Sequence, residues 1–251
     1  MLEIKNICAG YGKENILKNV SLNIKKGSLV SIIGPNGSGK STMLKALTGI
    51  LPISSGDILL NNKPVSSLTQ QKIATKIAYL AQGKNIPDMT VEQMVLHGRF
   101  PHLKFPRKYS KKDYEISEAA LMQLKISDLA KKPLSSLSGG MRQKAYIAMA
   151  LAQSTDYILL DEPTTYLDIS NQLSLLKILR SLADSGKSIV TVMHDLPLAF
   201  SFSDNVLVFK DGRIIASDTP ESLCKSDILK KVFGAELEFY KEKNCFFIKY
   251  N

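Results

Sequence analysis

Eight consecutive residues, Gly34-Pro35-Asn36-Gly37-Ser38-Gly39-Lys40-Ser41, place three glycines, a lysine and two hydroxyls within one short stretch. Polyphosphate is a dense anion. A loop that wraps it must turn backbone N–H groups inward, and glycine permits both that conformation and the close approach. The spacing fits G-x-x-x-x-G-K-[ST]. It assigns Lys40 to the β- and γ-phosphates of a nucleoside triphosphate and Ser41 to a Mg²⁺ ion, with Thr42 next in line along the nucleotide. Further on, Tyr157-Ile158-Leu159-Leu160 runs into Asp161-Glu162. Acids at the carboxyl end of a buried strand sit where α/β sheets bind ligands. Asp161 is expected to hold Mg²⁺ through water, and Glu162 to be the general base for an attacking water. His194 ends the apolar run 188–193, which places it on the same edge. Its expected task is a hydrogen bond to the γ-phosphate that orders the water. His97 and His102 lack such a setting and read as surface or packing residues.

These groups need a sheet edge and helix starts to hold them. Leu29-Val30-Ser31-Ile32-Ile33 is a short, nearly all-apolar run, as a buried parallel strand should be. Residues 40–47 then read as a helix, giving the strand–loop–helix context that the phosphate loop requires. Val20, Leu22 and Ile24 alternate with polar residues and predict a half-buried strand. Residues 57–60, 77–80, 157–161, 188–193, 206–209 and 213–216 are further predicted strands, and 169–184 a helix. From 90 to 134 the pattern turns helical, with Ile116, Ala120 and Leu124 on one face. Met141, Ala145, Ala148 and Ala152 predict another helix. The tail, 235–251, is weakly β-like. Alternating strands and helices give an α/β class with a mostly parallel sheet.

A chain of 251 residues can bury a sizeable core as one large domain. No apolar run approaches the ~20 residues that span a bilayer, and the first residues lack a secretory apolar region. The expected place is the cytoplasm, with any membrane role through a partner. The net charge of +10 fits nucleotide, nucleic acid or an anionic leaflet and does not choose among them. A basic stretch with Lys104, Arg107, Lys108, Lys111 and Lys112 reads either as a solvated loop or as a contact with membrane or partner. Cys8, Cys224 and Cys245 sit at neither zinc nor redox spacing.

Between the phosphate loop and the two acids lies Leu137-Ser138-Gly139-Gly140-Met141-Arg142-Gln143. With that segment the order of motifs resembles the nucleotide-binding subunit of an ATP-binding cassette (ABC) transporter, from about residue 2 to about 225. The resemblance implies a P-loop ATPase core with an N-terminal antiparallel β subdomain, a helical subdomain inserted at about 90–150, and a short tail, 226–251, packed on the core. It implies that Tyr11 stacks on adenine, and that Gln82 touches Mg²⁺ and the water and links the site to the membrane subunits. It implies too that Asp168 belongs to a loop that crosses a dimer interface. Ser138, Gly139 and Gly140 open a helix and so form a second anion-binding end. With Met141 they are expected to meet the ATP held by the other copy. The implied assembly is an ATP-bound homodimer with Mg²⁺, two transmembrane permease subunits and, indirectly, an extracytoplasmic substrate-binding protein. It lies at the cytoplasmic face of the membrane, without nucleic acid.

Met141 stands where the family most often has Gln, and Thr164-Thr165-Tyr166-Leu167 replaces the frequent Ser-Ala-Leu form. That aromatic version, and Thr90-Val91-Glu92-Gln93-Met94-Val95-Leu96-His97-Gly98-Arg99-Phe100-Pro101-His102, are similar to ATPases of importers for siderophores, haem and cobalamin. The alternatives are an exporter ATPase, a non-transport cassette protein, and a nucleotide sensor without catalysis. The residues after 225 are not expected to form a separate regulatory module.

Overall fold

The computed structural model describes residues 1–12, 14–83, 86–240, 242 and 245–249. The chain opens with strands β1 (Leu2–Tyr11), β2 (Glu14–Ile24) and β3 (Leu29–Ile33), then helix α1 (Lys40–Leu47). Strands β4 (Ile53–Leu60) and β5 (Lys63–Pro64), helix α2 (Gln70–Ala74) and strand β6 (Ile77–Leu80) follow. Helices α3 (Val91–His97), α4 (Lys111–Gln123) and α5 (Gly139–Ala152) interrupt the strands, which resume with β7 (Tyr157–Asp161). Next come α6 (Ile169–Asp184), β8 (Ser188–Val192), α7 (Leu196–Phe202), β9 (Asn205–Lys210) and β10 (Arg213–Asp218). The last elements are α8 (Pro220–Cys224), α9 (Ile228–Phe233), β11 (Glu236–Tyr240) and β12 (Cys245–Lys249).

A six-stranded sheet, in the order β10-β9-β3-β8-β7-β6, is parallel except for its β10 edge. A four-stranded antiparallel sheet, β2-β1-β4-β5, carries the N-terminal part. Strands β3, β7 and β8 are buried at every residue because both faces of the parallel sheet are covered. Successive side chains point to opposite faces, so these apolar runs feed two cores. Leu29, Ile33, Ile158, Leu160 and Ile189 pack with α5, α6 and the tail. Val30, Ile32, Leu159, Val190 and Val192 pack with α1 and the antiparallel sheet. The same stacking aligns the carboxyl ends of β3, β7 and β8, which carry the phosphate loop, the acids and His194.

The antiparallel strands run longer than the residues predicted for them. In β1 the inward positions are Leu2 and Ile4, then Ile7 and Ala9, a change of parity. Asn6 sits there at φ 50°, and both pairings of β1 slip nearby. A bulge flips the face of every later residue. Gly56 of β4 faces this bulge, where a Cβ would lie 2.4 Å from the Lys5 carbonyl oxygen.

Helices α3, α4 and α5 are tied together by one buried cation. Arg99 Nε donates to Asp113 Oδ1 at 2.9 Å, and its terminal nitrogen donates to the Ala152 carbonyl at 2.7 Å and to Ser154 Oγ at 3.0 Å. Burial alone would raise the Asp113 carboxyl. Hydrogen bonds from the Ser110 hydroxyl and backbone N–H, with the Arg99 guanidinium, outweigh it and hold the group at about 2. Removing one partner of a buried pair strands the other charge, at a cost of about 3–5 kcal/mol. Arg99→Ala is therefore expected to lower the thermal midpoint by ~6–20 °C for a chain of this size. The Asp113 carboxyl sits below its ordinary value of 3.8, so its contribution is complete above 3.8 and lost as pH falls toward about 2. Thermal melts of both proteins across that range should converge at the acid end. A loss of under 1 °C at neutral pH, about what a neutral surface change gives, contradicts the clamp.

Candidate active site

Strand β3 delivers the chain to Gly34, where a Cβ would lie 2.3 Å from the Phe209 carbonyl oxygen of β9. Only glycine lets the loop leave the sheet there. Gly37 and Gly39 follow at φ 77° and 104°, in the left-handed region. Pro35, Asn36 and Gly37 are exposed at the loop's tip, whereas Ser38, Lys40 and Thr42 are buried. Helix α1 starts on Gly39, which offers no side-chain oxygen, so the first N–H groups of the helix are left for an anion. Lys40 Nζ arches back and donates to the carbonyl oxygens of Gly34 and Pro35, each at 2.9 Å. Burial depresses its ammonium pKa, and the carboxylates of Glu162 and Asp161 oppose that shift. The Ser38 hydroxyl is buried and has no hydrogen-bond partner among the described residues. A buried unsatisfied hydroxyl in a loop of this form fits a phosphate oxygen.

Asp161 closes β7 and is buried. Ser41 Oγ donates to its Oδ1 at 2.9 Å and the Tyr79 hydroxyl to its Oδ2 at 3.3 Å. Burial pushes the Asp161 carboxyl up, against those two hydrogen bonds. Burial and the adjacent Asp161 charge push the Tyr79 phenol up as well. Glu162 then turns out of the strand at φ 52°, a conformation unusual for a non-glycine residue. Its Oε2 accepts from Gln82 Nε2 at 2.7 Å and from Thr165 Oγ1 at 3.1 Å. Its Oε1 lies 2.6 Å from His194 Nε2. A carboxylate accepts, so that ring nitrogen carries the hydrogen.

Lys40, Ser41, Gln82, Asp161, Glu162 and His194 thus meet at the carboxyl edge of the sheet. Tyr11 joins them through α1, since Lys45 Nζ lies 3.3 Å from its hydroxyl and 5.7 Å from its ring centre. The Ser138 group stands apart. No hydrogen bond among the described residues joins Ser138, Gly139, Gly140 or Met141 to the loop 34–41. Ser138 is exposed and caps α5, accepting from Met141 N at 3.4 Å. Gly140 lies against Asn171, where a Cβ would meet Oδ1 at 2.6 Å. Asn171 in turn donates to both carboxylate oxygens of Asp168, at 2.8 and 2.9 Å, so Asp168 caps α6. The starts of α5 and α6 are thereby locked side by side. His97 is exposed, and His102 Nε2 packs 2.8 Å from the Gln153 carbonyl.

A cavity of about 380 Å³ lies beside Glu162, bordered by Gln82, Gly139, Arg142, Tyr146, Thr165 and Tyr166 among others. Sequence reasoning gave no task to Tyr79, Thr165 or Arg142. Thr165 carries a signal, a hydroxyl three residues after the acid. Tyr79 carries none, because its partner is 82 positions away.

Ser41 and Asp161 supply hard oxygen donors and leave other positions to phosphate and water, which suits Mg²⁺. Among the described residues no group of three His, Cys, Asp or Glu side chains could hold a metal by itself. No helix among them is long and apolar enough to cross a membrane.

Residues 17–165 match the ABC transporter family. The petrobactin import ATP-binding protein FpuD of Bacillus anthracis is 41% identical over 94% of this chain and 88% of its own length. An inward-facing conformation of a protein described as a metal-chelate type ABC transporter aligns at TM-score 0.84 and 29% identity, over 100% of this chain and 98% of that one. The cassette MJ0796, solved as a dimer in a post-hydrolysis state with ADP and Pi, aligns at TM-score 0.75 and 30% identity, over 88% and 99% of the two chains. The chain belongs to the ABC transporter family, as an ATP-binding protein related to siderophore and iron-chelate importer ATPases.

Proposed function

We propose that this chain is the ATP-hydrolysing subunit of an importer for iron–siderophore or similar metal–chelate cargo. The carrying observation is the Glu162 carboxylate, held by Gln82, Thr165 and His194 beside the Ser41–Asp161 pair. The relatives' names supply the cargo class. Residues 1–225 are the nucleotide-binding unit with 90–150 as its helical insert. The tail 226–251 packs on the core, as the Phe200–Phe246 ring contact at 5.5 Å supports. Residues 241, 243, 244, 250 and 251 of that tail lie outside the described residues.

In this reading ATP lies along the loop with Tyr11 against adenine. The γ-phosphate draws Lys40 Nζ from the two carbonyls it now binds. Ser41, with Asp161 and Gln82, would hold Mg²⁺, which would supply charge neutralisation at the phosphate oxygens. Glu162 takes a proton from water as the water oxygen bonds to the γ-phosphorus and the bond to the β–γ bridging oxygen breaks. His194 has one Nε2–H, and here it points at Glu162. The same hydrogen is required by a γ-phosphate oxygen, so bound ATP competes for it and frees Oε1 of the base. In this way the γ-phosphate prepares its own hydrolysis.

The second copy completes the site. Its Ser138, Gly139, Gly140 and Met141 meet the γ-phosphate with the N-terminal end of α5, and Asp168 lies in the loop between copies. A contact made only with ATP and lost on hydrolysis is a two-state element that can drive two membrane permeases. The protein then works at the cytoplasmic face, peripheral to the membrane. Cargo reaches the permeases from an extracytoplasmic binding protein and never touches this chain.

Lys40→Ala tests the cradle. Equilibrium nucleotide binding should weaken by about 10-fold or more, on a charge-assisted phosphate contact of about 1.5–3 kcal/mol. Unchanged affinity contradicts the assignment. Co-purification with the membrane subunits, then ATPase assays with loaded binding protein, tests the import reading. Stimulation by an iron chelate supports it, and stimulation by a drug-like substrate without any binding protein favours export.

A further inference from the structure

The loop from α3 to α4 is fixed at both ends and bare in the middle. Gln71 Nε2 donates to the Pro101 and Leu103 carbonyls at 3.0 and 3.2 Å, and Leu103 is buried. At the far end Ser110 and Asp113 form a capping box, with Asp113 paired to Arg99. Between these anchors Lys104, Phe105, Arg107, Lys108, Lys111 and Lys112 are all exposed. Phe105 is 97% exposed, the most of any large apolar side chain among the described residues. None of Lys104, Arg107, Lys108 and Lys112 has a carboxylate within 4.0 Å among the described residues. Lys111 has only a long contact, 3.8 Å, to Glu115. The Arg107 guanidinium lies 4.5 Å from the Phe100 ring centre, and an open hollow of about 530 Å³ runs between Gln71, Lys104, Phe105 and Arg107.

A protein partner is a poor match to this composition. Interfaces are depleted in Lys and built on a core of several apolar residues. Here five of the eight exposed side chains between 104 and 112 are Lys or Arg, and two, Phe105 and Pro106, are apolar. A bilayer needs no shaped groove. Its anionic headgroups accept mobile cations, and its headgroup–acyl boundary accepts a lone aromatic ring. We infer that residues 104–112 dock on an anionic phospholipid surface, with the phosphates meeting Lys104, Arg107 and Lys108 and with Phe105 entering the interface. The inference takes from the proposed function only that the protein works beside a membrane. It adds a contact that needs no permease.

The test is sedimentation of the purified full chain with vesicles, without nucleotide or membrane subunits. Vesicles of phosphatidylcholine with an equal part of phosphatidylglycerol should bind it, and vesicles of phosphatidylcholine alone should not. Binding should weaken as salt shortens the range of the field. Each cation near the surface is worth about a 5-fold change in partitioning, so Lys104→Ala/Arg107→Ala/Lys108→Ala should bind about 100-fold more weakly. Lys25→Ala/Lys26→Ala/Lys63→Ala removes the same charge from exposed sites elsewhere and should lose less than about 5-fold. Phe105→Ala should weaken binding without changing its salt dependence. The inference is overturned if wild type ignores the anionic vesicles, or if the two triple variants lose binding equally. It is also overturned if binding appears only when permease is built into neutral vesicles, which assigns the loop to a protein. ATP hydrolysis by the 104/107/108 variant should stay at the wild-type rate, so a failed ATPase assignment is read separately from a failed docking surface.

Discussion

Glu162→Gln is expected to bind ATP as wild type does while steady-state hydrolysis falls by ~10²–10⁴-fold, the worth of a positioned general base. The substitution keeps size and one acceptor oxygen, so Gln82 Nε2 and Thr165 Oγ1 retain an atom to donate to. What goes is the proposed proton acceptor. The hydrogen bonds of Lys40, Ser41 and Asp161 include no part of the Glu162 side chain, so the cradle keeps its contacts and loses only the charge of Glu162 near Lys40. With ATP bound and not consumed, two copies should remain joined, and size exclusion should show an ATP-dependent dimer that wild type shows only briefly. Phosphate release, equilibrium nucleotide binding and elution volume read the three effects apart. Turnover near the wild-type rate removes Glu162 from its role. Loss of nucleotide binding places Glu162 in the cradle instead.

The sheet was legible wherever one physical cause shaped one stretch of sequence. Strands β3, β7 and β8 are covered on both faces, so they read as unbroken apolar runs. Their carboxyl ends place Gly34, Asp161 and His194 with no further information. Strand β1 was not legible in full, because the bulge at Asn6 reverses which parity faces inward. Helices α2, α7, α8 and α9 span five to seven residues, too short for a 3.6-residue period to declare itself. At the site, motif residues were visible and their long-range partners were not. Asp161 is legible at the end of its strand, whereas the Tyr79 hydroxyl that shares it is set by strand pairing between β6 and β7. Asp168 shows two readings at once. Its type and place before a helix mark an N-cap, which the Asn171 bonds display, while the resemblance gives it an interface task that one chain alone does not exercise.

Ser138→Arg is expected to leave ATP binding by the single chain near normal and to abolish both the ATP-bound dimer and hydrolysis. The asymmetry follows from where Ser138 stands. It is exposed, and it shares no hydrogen bond with the loop 34–41 of its own chain. An arginine there meets solvent in the monomer. The local penalty is the lost cap of α5, about 0.5–2 kcal/mol, and a cation at the positive end of that helix. In the proposed dimer the start of α5 comes within hydrogen-bond reach of a phosphate held by the other copy, about 3 Å. A guanidinium on a long stem attracts phosphate but keeps the helix N–H groups away from it, and a displacement of about 1 Å suffices to cost ~10²-fold in rate. Ser138→Ala separates the two effects, since it loses the cap without adding bulk and should retain dimer and partial turnover. Elution with ATP in the Glu162→Gln background is the decisive measurement. A normal ATP-bound dimer of the Arg variant means that each copy closes its own site, and the shared γ-phosphate is then the part of the mechanism to abandon.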